Sequence, residues 1–229
     1  MTQTADAIII GTGVIGTAVA YELAKKGWKT LSLDRNAQIG HGSTAGSCAI
    51  IRMHYSTLDG TAFAWEGYHY WRDWAAYLEA PTGEPLAKFI ECGCLVAKTD
   101  LNGQLEKHMH YSGMLDCPFE EWSPDQITSK LPIYSMDSFA PAKRRDDPAC
   151  GKPNGARLNG GVCWPKAGYV TDPALSSQNL GDAAMRKGAV FQMNATVADI
   201  LQDGGRGTGV RLADGAELAM KEVTDCGLL

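Results

Sequence analysis

Apolar and polar positions alternate with three different rhythms along this chain, and each rhythm predicts an element. Residues 7–10, Ala-Ile-Ile-Ile, form a short unbroken apolar run, the pattern of a strand buried on both faces of a parallel sheet. After Gly11-Thr12-Gly13-Val14-Ile15-Gly16, the apolar residues Ala18, Val19, Leu23 and Ala24 recur at helical spacing, and Gly27 stands where a helix-ending glycine belongs. Thr30–Leu33 reads as a second strand, ending on Asp34. Residues 61–79 carry Phe63, Trp65, Tyr68, Tyr70, Trp71, Trp74 and Tyr77 and predict one amphipathic helix whose aromatic stripe is core; the alternative is that one or two rings line an amine pocket. Residues 89–97 predict a strand and 101–112 a short polar helix, and Ser123-Pro124-Asp125-Gln126 opens another helix by N-capping. Asp172-Pro173 starts a helix that runs to about Lys187, and Gly188-Ala189 turns it into a strand. The alternation at Val197 and Ile200, the turn Asp203–Gly207 and the run Gly209–Leu212 predict antiparallel strands. Between Tyr134 and Gly161 lies a segment rich in Pro, Gly and Asp, expected to be an irregular surface loop over a site or an interface.

The first forty residues therefore spell strand, glycine turn, helix, strand and acid, with 18 positions from Gly16 to Asp34. This order suits an adenine dinucleotide. Gly11 permits a tight turn, Gly13 lets a pyrophosphate approach the backbone, and Gly16 lets the helix pack against the sheet. The free N–H groups of the first helical turn then face the phosphates, aided by the helix dipole. Asp34, at the tip of the second strand, can accept hydrogen bonds from ribose hydroxyls, and its charge disfavours a 2′-phosphate. The motif alone leaves FAD and NAD both open. An NAD domain normally continues with further strand–helix repeats. Here a polar, glycine-rich loop follows at 36–48, and then the aromatic-laden stretch.

Composition narrows the class. The 229 residues fit one large domain or two small ones, and 45% apolar with 21% charged residues excludes disorder and coiled coil. A net charge of −5 argues against a nucleic-acid or anionic-membrane surface, and the charges of Lys143-Arg144-Arg145-Asp146-Asp147 nearly cancel. No apolar run approaches a membrane span, and Met1–Asp6 lacks the features of a signal peptide, so a cytoplasmic location is expected. The seven cysteines then default to reduced thiols without zinc-ligand spacing; Cys92-Gly93-Cys94 is expected to lie within a strand, with both thiols on one face. Asn194-Ala195-Thr196 matches a glycosylation sequon and is read as a chance match.

With Ile8 to Asp34 followed by Gly40-His41-Gly42-Ser43-Thr44 and Ile50-Ile51-Arg52, the chain resembles the FAD-dependent D-amino acid oxidase superfamily, nearest its sarcosine oxidase and dimethylglycine dehydrogenase branch. Gly168-Tyr169-Val170-Thr171-Asp172-Pro173, Gly188-Ala189-Val190-Phe191, and Val197 through Gly209-Val210 to Asp214-Gly215 continue the likeness in the family's order. The resemblance implies an α/β fold of two domains. A discontinuous, Rossmann-like FAD-binding domain would take residues 1–48 and 165–229, with the start of a mixed-sheet substrate domain inserted at 49–164. It carries Gly11, Gly13, Val14, Ile15, Gly16, Asp34, Arg35, Ser43, Thr44, Val197 and Gly227 as cofactor-binding positions, Val197 through its backbone to adenine. Capping of the helix is the competing role for Ser43 and Thr44. It makes Arg52 the holder of a substrate carboxylate, a task that suits a planar guanidinium, with a structural salt bridge as the alternative.

The family's pattern is broken at two places. Ala49 stands where sarcosine oxidases have a basic residue beside the flavin. His41 is displaced from the position, near Ala45, at which dimethylglycine dehydrogenases attach FAD, so non-covalent FAD is expected. His54, His69, His108 and His110 have no predicted partner and are expected at surface or satisfied positions.

The implied reaction is oxidation of a secondary amine or amino acid at its C–N bond, with hydride passing to flavin N5 and hydrolysis of the imine. A non-catalytic dinucleotide-binding subunit and an NAD-linked dehydrogenase are the competing readings. Glu222–Gly227 resembles the strand and glycine that return the family's chain to the cofactor, shortly before the sequence ends. A complementary polypeptide, completing a chain short for its family, is therefore expected as a partner.

Overall fold

The computed structural model describes residues 5–99 and 102–225. In chain order the elements are β1 (Ala5–Ile10), α1 (Val14–Lys25), β2 (Thr30–Leu33), β3 (Ile50–Ile51), α2 (Leu58–Arg72), α3 (Trp74–Tyr77), β4 (Phe89–Glu91), β5 (Cys94–Ala97), α4 (Leu105–Met114), β6 (Glu120–Trp122), α5 (Pro124–Lys130), β7 (Gly161–Trp164), β8 (Gly168–Val170), α6 (Pro173–Arg186), β9 (Val190–Gln192), β10 (Val197–Asp203), β11 (Arg206–Leu212) and β12 (Glu217–Asp225). They divide into two compact units. One holds the chain up to Ile50, Asp73–Ile90 and the chain from Val170 onward; the other holds Ile51–Arg72 and Glu91–Tyr169.

The first unit is built on a six-stranded sheet of order β10-β11-β12-β1-β2-β9. Strands β12, β1, β2 and β9 run parallel, with Ile9 of β1 level with Thr224 and Ser32. Strands β10, β11 and the first part of β12 form an antiparallel meander. The alternation of side chains sorts β1 onto two faces. Ile8 joins Leu31, Leu33, Val210 and Leu212 in one buried cluster, whereas Ile9 points at α1, its Cγ2 within contact of the space beside Gly16. On that side α1 lies against α6, and both bury small residues: Gly16, Thr17, Ala20 and Ala24 on one helix, Ser176, Ser177, Gly181, Ala183 and Ala184 on the other. Small side chains allow the close helix approach that a larger residue would prevent.

Residues 73–90, expected with the inserted segment, group with this unit. Tyr21 donates its hydroxyl to the Tyr77 carbonyl at 2.7 Å. The buried Asn179 amide accepts from Ala87 N–H at 3.0 Å and donates to the Pro85 carbonyl at 2.9 Å. Arg186 binds Glu84 and the Leu78 carbonyl.

The second unit contains a three-stranded antiparallel sheet of order β5-β7-β6, with Leu95 opposite Cys163 and Glu121 opposite Val162. Its central strand β7 is buried throughout. As expected, Ser123 caps α5: its hydroxyl accepts from Gln126 N–H, and the Gln126 side chain accepts from Ser123 N–H. The segment before β7 forms no helix or named strand among the described residues. It is pinned at the base by Leu158 N–H to Met136 O at 2.8 Å and Ser138 N–H to Ala156 O at 2.9 Å.

Three expectations change here. The single helix over 61–79 is two, α2 and α3, broken at Asp73, whose φ of −107° and ψ of 37° leave the helical region. Its aromatic stripe is not uniformly core: Tyr68 is 2% exposed and Phe63 80%. The single strand over 89–97 is β4 and β5, interrupted where Gly93 turns to φ +79° and donates its N–H to Ala167 O at 2.8 Å. Cys92 consequently lies outside any strand and exposed, while Cys94 is half-buried in β5.

A methyl group at Gly16 would overlap the Gly11 carbonyl oxygen, a backbone atom that cannot turn aside. Gly16→Ala is therefore expected to cost about 3 kcal/mol or more. Gly27→Ala, at φ +83° with open space around it, is expected to cost only about 1 kcal/mol. Urea midpoints of the two variants check the difference, and equal losses would refute the close approach at Gly16.

Candidate functional site

The turn between β1 and α1 is held open by glycine and closed by hydroxyl and carboxylate groups. Gly11 adopts φ +95° and donates its N–H to Leu33 O at 2.8 Å, which ties the turn to β2. Gly13 is the extended N-cap of α1 and supplies no side-chain cap. Thr44 serves in its place from the following loop: its Oγ1 accepts the Val14 N–H at 3.1 Å. A methyl group on Gly13 would sit 2.8 Å from that same Oγ1. The loop is anchored by Gly40, at φ +80°, whose N–H donates to Thr12 O at 2.9 Å. Ile15, in the first turn of α1, is 65% exposed, so this end of the helix opens outward.

Four hydrogen bonds converge on the half-buried Asp34 carboxylate. Oδ2 accepts the Thr12 N–H and the Thr12 hydroxyl, both at 2.7 Å; Oδ1 accepts the Asn36 N–H at 2.8 Å and the Asn36 side-chain amide at 2.9 Å. Burial alone raises the pKa of this carboxyl, but the donors of Asn36 and Thr12 together outweigh it, and the net direction is downward. The Asp34 carbonyl accepts from Ala195 N–H at 2.8 Å, which draws the segment leading into Val197 to the same end of the sheet.

The structure thus brings Gly11, Gly13, Val14, Ile15, Gly16, Asp34 and Thr44 together around one helix end. Ser43 and Arg35 are exposed in the flanking loop, and Val197 begins β10, with Leu212 as its strand partner. Gly227 lies outside the described residues. Thr44 has the capping role, without the local spacing of an ordinary N-cap. Thr12 and Asn36, which hold Asp34, were not among the expected site residues. Their only signal was position: an N–H and hydroxyl inside the glycine turn, and an amide two residues past the acid.

The second unit holds a different cluster. Arg52 is exposed, with its guanidinium over the Tyr55 ring, 4.5 Å from the centroid, and it makes no ion pair among the described residues. His54 is 4% exposed and lies on Trp164, ring centroids 4.2 Å apart and 29° from parallel. His108 faces it at 5.4 Å. Nδ1 of each ring is buried without a hydrogen-bond partner. The expectation of surface or satisfied histidines fails for this pair, because an imidazole two residues from an exposed arginine carries no sequence mark of burial. Burial, His108 and Arg52, in that order, lower the His54 pKa to about 4. Burial and then Arg52 lower that of His108. No group of His, Cys, Asp and Glu able to hold a metal ion occurs among the described residues, and none of the described helices is long and apolar enough to cross a membrane.

A glycine turn at a helix N-terminus and an acid at the end of the second strand place the chain in the α/β class with a Rossmann-like sheet. The chain belongs to the DAO family, FAD dependent oxidoreductase, whose pattern it matches over residues 6–227. It is 27% identical over a 231-residue alignment to N-methyl-L-tryptophan oxidase of Yersinia pestis (strain Pestoides F), covering 97% of this chain and 53% of that protein. It is 26% identical over 185 residues to the tRNA 5-methylaminomethyl-2-thiouridine biosynthesis bifunctional protein MnmC of Pseudomonas entomophila (strain L48), covering 79% of this chain and 24% of that protein. In fold it is similar to L-proline dehydrogenase from P. horikoshii, with a TM-score of 0.78 at 17% identity over 99% of this chain and 53% of that one. The chain spans about half or less of the length of these relatives. The expected cofactor, FAD, is that of the family.

The depressed His54 pKa has a consequence for stability. The unfolded chain protonates this ring near pH 6.5, the folded chain only near pH 4. Folding is therefore favoured fully above about pH 6.5 and loses roughly 2–3 kcal/mol as pH falls toward 4. His54→Phe keeps the stack on Trp164 and removes the titration. Denaturant midpoints from pH 7.5 to 4 are expected to fall less steeply in this variant than in the parent, and identical slopes would remove His54 as the cause.

Proposed function

We propose that this chain is the cofactor-binding part of a flavoprotein that oxidises a secondary amine or amino acid at its C–N bond. The observation that carries the reading is the cradle of Gly11, Gly13, Gly16, Thr44 and Asp34 at the N-terminus of α1. In this reading the backbone N–H groups of Gly13, Ile15 and Gly16 face the pyrophosphate, and that of Val14 is shared between it and Thr44 Oγ1, with Ser43 beside them. Asp34 takes the ribose hydroxyls, with Arg35 beside it. Because its four acceptor positions are already engaged, a ribose hydroxyl shares the carboxylate with Thr12 or Asn36. Val197 offers its backbone to adenine, and Gly227 approaches the dinucleotide from the end of the return strand. Arg52, exposed and placed over the Tyr55 ring, binds the substrate carboxylate.

Bound FAD would supply the acceptor for the hydride equivalent removed from the substrate carbon. The chain's own residues contribute orientation: the guanidinium fixes one end of the substrate, and little acid–base machinery is needed if the amine is already neutral. His41 is displaced from the attachment position, near Ala45, of the histidine-linked relatives, and in this reading the cofactor is held without a covalent bond. Residues beyond this chain, in a complementary polypeptide or a longer form of the same protein, complete the substrate cavity.

The purified chain is expected to be yellow, and the flavin absorbance of the completed enzyme to be bleached by N-methyl amino acids. A colourless protein that binds only NAD would overturn the reading. Asp34→Ala is expected to weaken FAD binding by about 1–3 kcal/mol. Asn36→Ala, which removes a clamping partner and leaves the carboxylate, separates loss of the turn from loss of the ligand. In the active flavoprotein, Arg52→Lys is expected to raise KM for carboxylated amines far more than for uncharged ones, and equal effects would take Arg52 out of the site.

A further inference from the structure

Asparagine is followed by glycine three times in the second unit, at Asn102-Gly103, Asn154-Gly155 and Asn159-Gly160. Such a step is chemically labile, because glycine has no Cβ to keep its backbone nitrogen from the asparagine side-chain carbonyl. The fold treats the three steps differently. Asn102 donates its amide to Ala97 O at 3.1 Å. The Asn154 amide is held on both sides: Nδ2 donates to Ala140 O at 2.6 Å and to Ser138 Oγ at 3.4 Å, and Oδ1 accepts the Ala156 N–H at 2.8 Å. Asn159 is exposed, and neither its amide nor the Gly160 N–H has a hydrogen-bond partner among the described residues. The residues on either side are pinned, Leu158 N–H to Met136 O at 2.8 Å and Gly160 O to Lys98 N–H at 2.9 Å. Between these pins no hydrogen bond restrains the Asn159 side chain. Position 160 must also be glycine: its φ is +116°, and a methyl group there would overlap the Trp122 carbonyl oxygen. The close approach to β6 thus demands the residue that makes the preceding asparagine labile.

We propose that Asn159 is a deamidation site of this protein, created by an exposed, unbonded amide and the glycine that the fold requires after it. The Gly160 backbone nitrogen attacks Asn159 Cγ, and the new C–N bond closes a succinimide. The side-chain amide leaves as ammonia, carrying the proton of the attacking nitrogen. Water then opens the ring at either carbonyl to give aspartate or isoaspartate, with nothing oxidised or reduced. The product places a carboxylate, and in the isoaspartyl form one additional backbone carbon, directly before β7, the buried central strand of its sheet. Asn102 and Asn154 are protected, because attack requires their amides to leave the partners that hold them.

The test is to incubate the purified chain at pH 8 and 37 °C, folded and in urea, and to follow its tryptic peptides by mass spectrometry. Cleavage after Arg157 puts Asn154 and Asn159 in different peptides. In the folded chain Asn159 is expected to lose its amide about tenfold or more faster than Asn154, and several-fold faster than Asn102, since their hydrogen bonds must first break. In urea the three rates are expected to converge. Asn159→Gln should abolish the change in its own peptide and leave the rates at Asn102 and Asn154 as they were. Equal rates in the folded chain, a faster Asn154, an Asn159 that reacts only in urea, or ratios that persist in urea would overturn the proposal.

Discussion

The carboxylate of Asp34 is the point to which the dinucleotide end of this protein is referenced. It fastens the Thr12 turn on one side and the Asn36 loop on the other, through bonds to a charged acceptor that are each stronger than neutral ones. Its own carbonyl then receives Ala195. Segments far apart in the chain are thereby set against one strand end. The Gly16 contact with Gly11 works in the same direction, because it fixes how near α1 can lie to β1. The Thr44 hydroxyl completes the set by reaching α1 from a loop that Gly40 anchors to Thr12. A cradle for phosphates needs donors held still without their partner, and this network of short bonds holds them.

The two units carry opposite chemistry. Around α1 the available groups are backbone donors with a single, fully engaged carboxylate. In the inserted unit they are a guanidinium over the Tyr55 ring and a buried imidazole stacked on the Trp164 indole, with a second imidazole facing it. The first arrangement suits phosphates and ribose hydroxyls. The second leaves Nδ1 of both imidazoles buried without a hydrogen-bond partner.

Local rules made much of the fold legible. The apolar run before Gly11, the helical spacing after Gly16 and the cap at Ser123 all depend on neighbours within a few positions, and β1, α1 and α5 follow them. The same holds for Asp172, whose side chain accepts the Leu175 N–H at 2.9 Å as the cap of α6. The expectations that failed depend on contacts distant in the chain. Nothing local to Asp73 announces that residues 73–90 will be claimed by Asn179 and Arg186. Gly93 bends because Ala167 offers a carbonyl, a partner some seventy positions away. At the site, the glycines and the acid could be read from spacing, since their roles are set by backbone geometry. Thr12, Asn36 and the burial of His54 could not, because each is defined by what folds against it.

Strand β12 belongs to two structures at once. Its first residues pair with β11 in the meander, and its later ones run beside β1 in the parallel sheet. The meander therefore has no boundary at which it can peel away alone. Through β12 the pairing continues from β10 and β11 to β1, and β1 leads into the glycine turn. The meander and the parallel sheet are thereby parts of one continuous hydrogen-bonded ladder, whose strands are expected to share one level of amide-exchange protection.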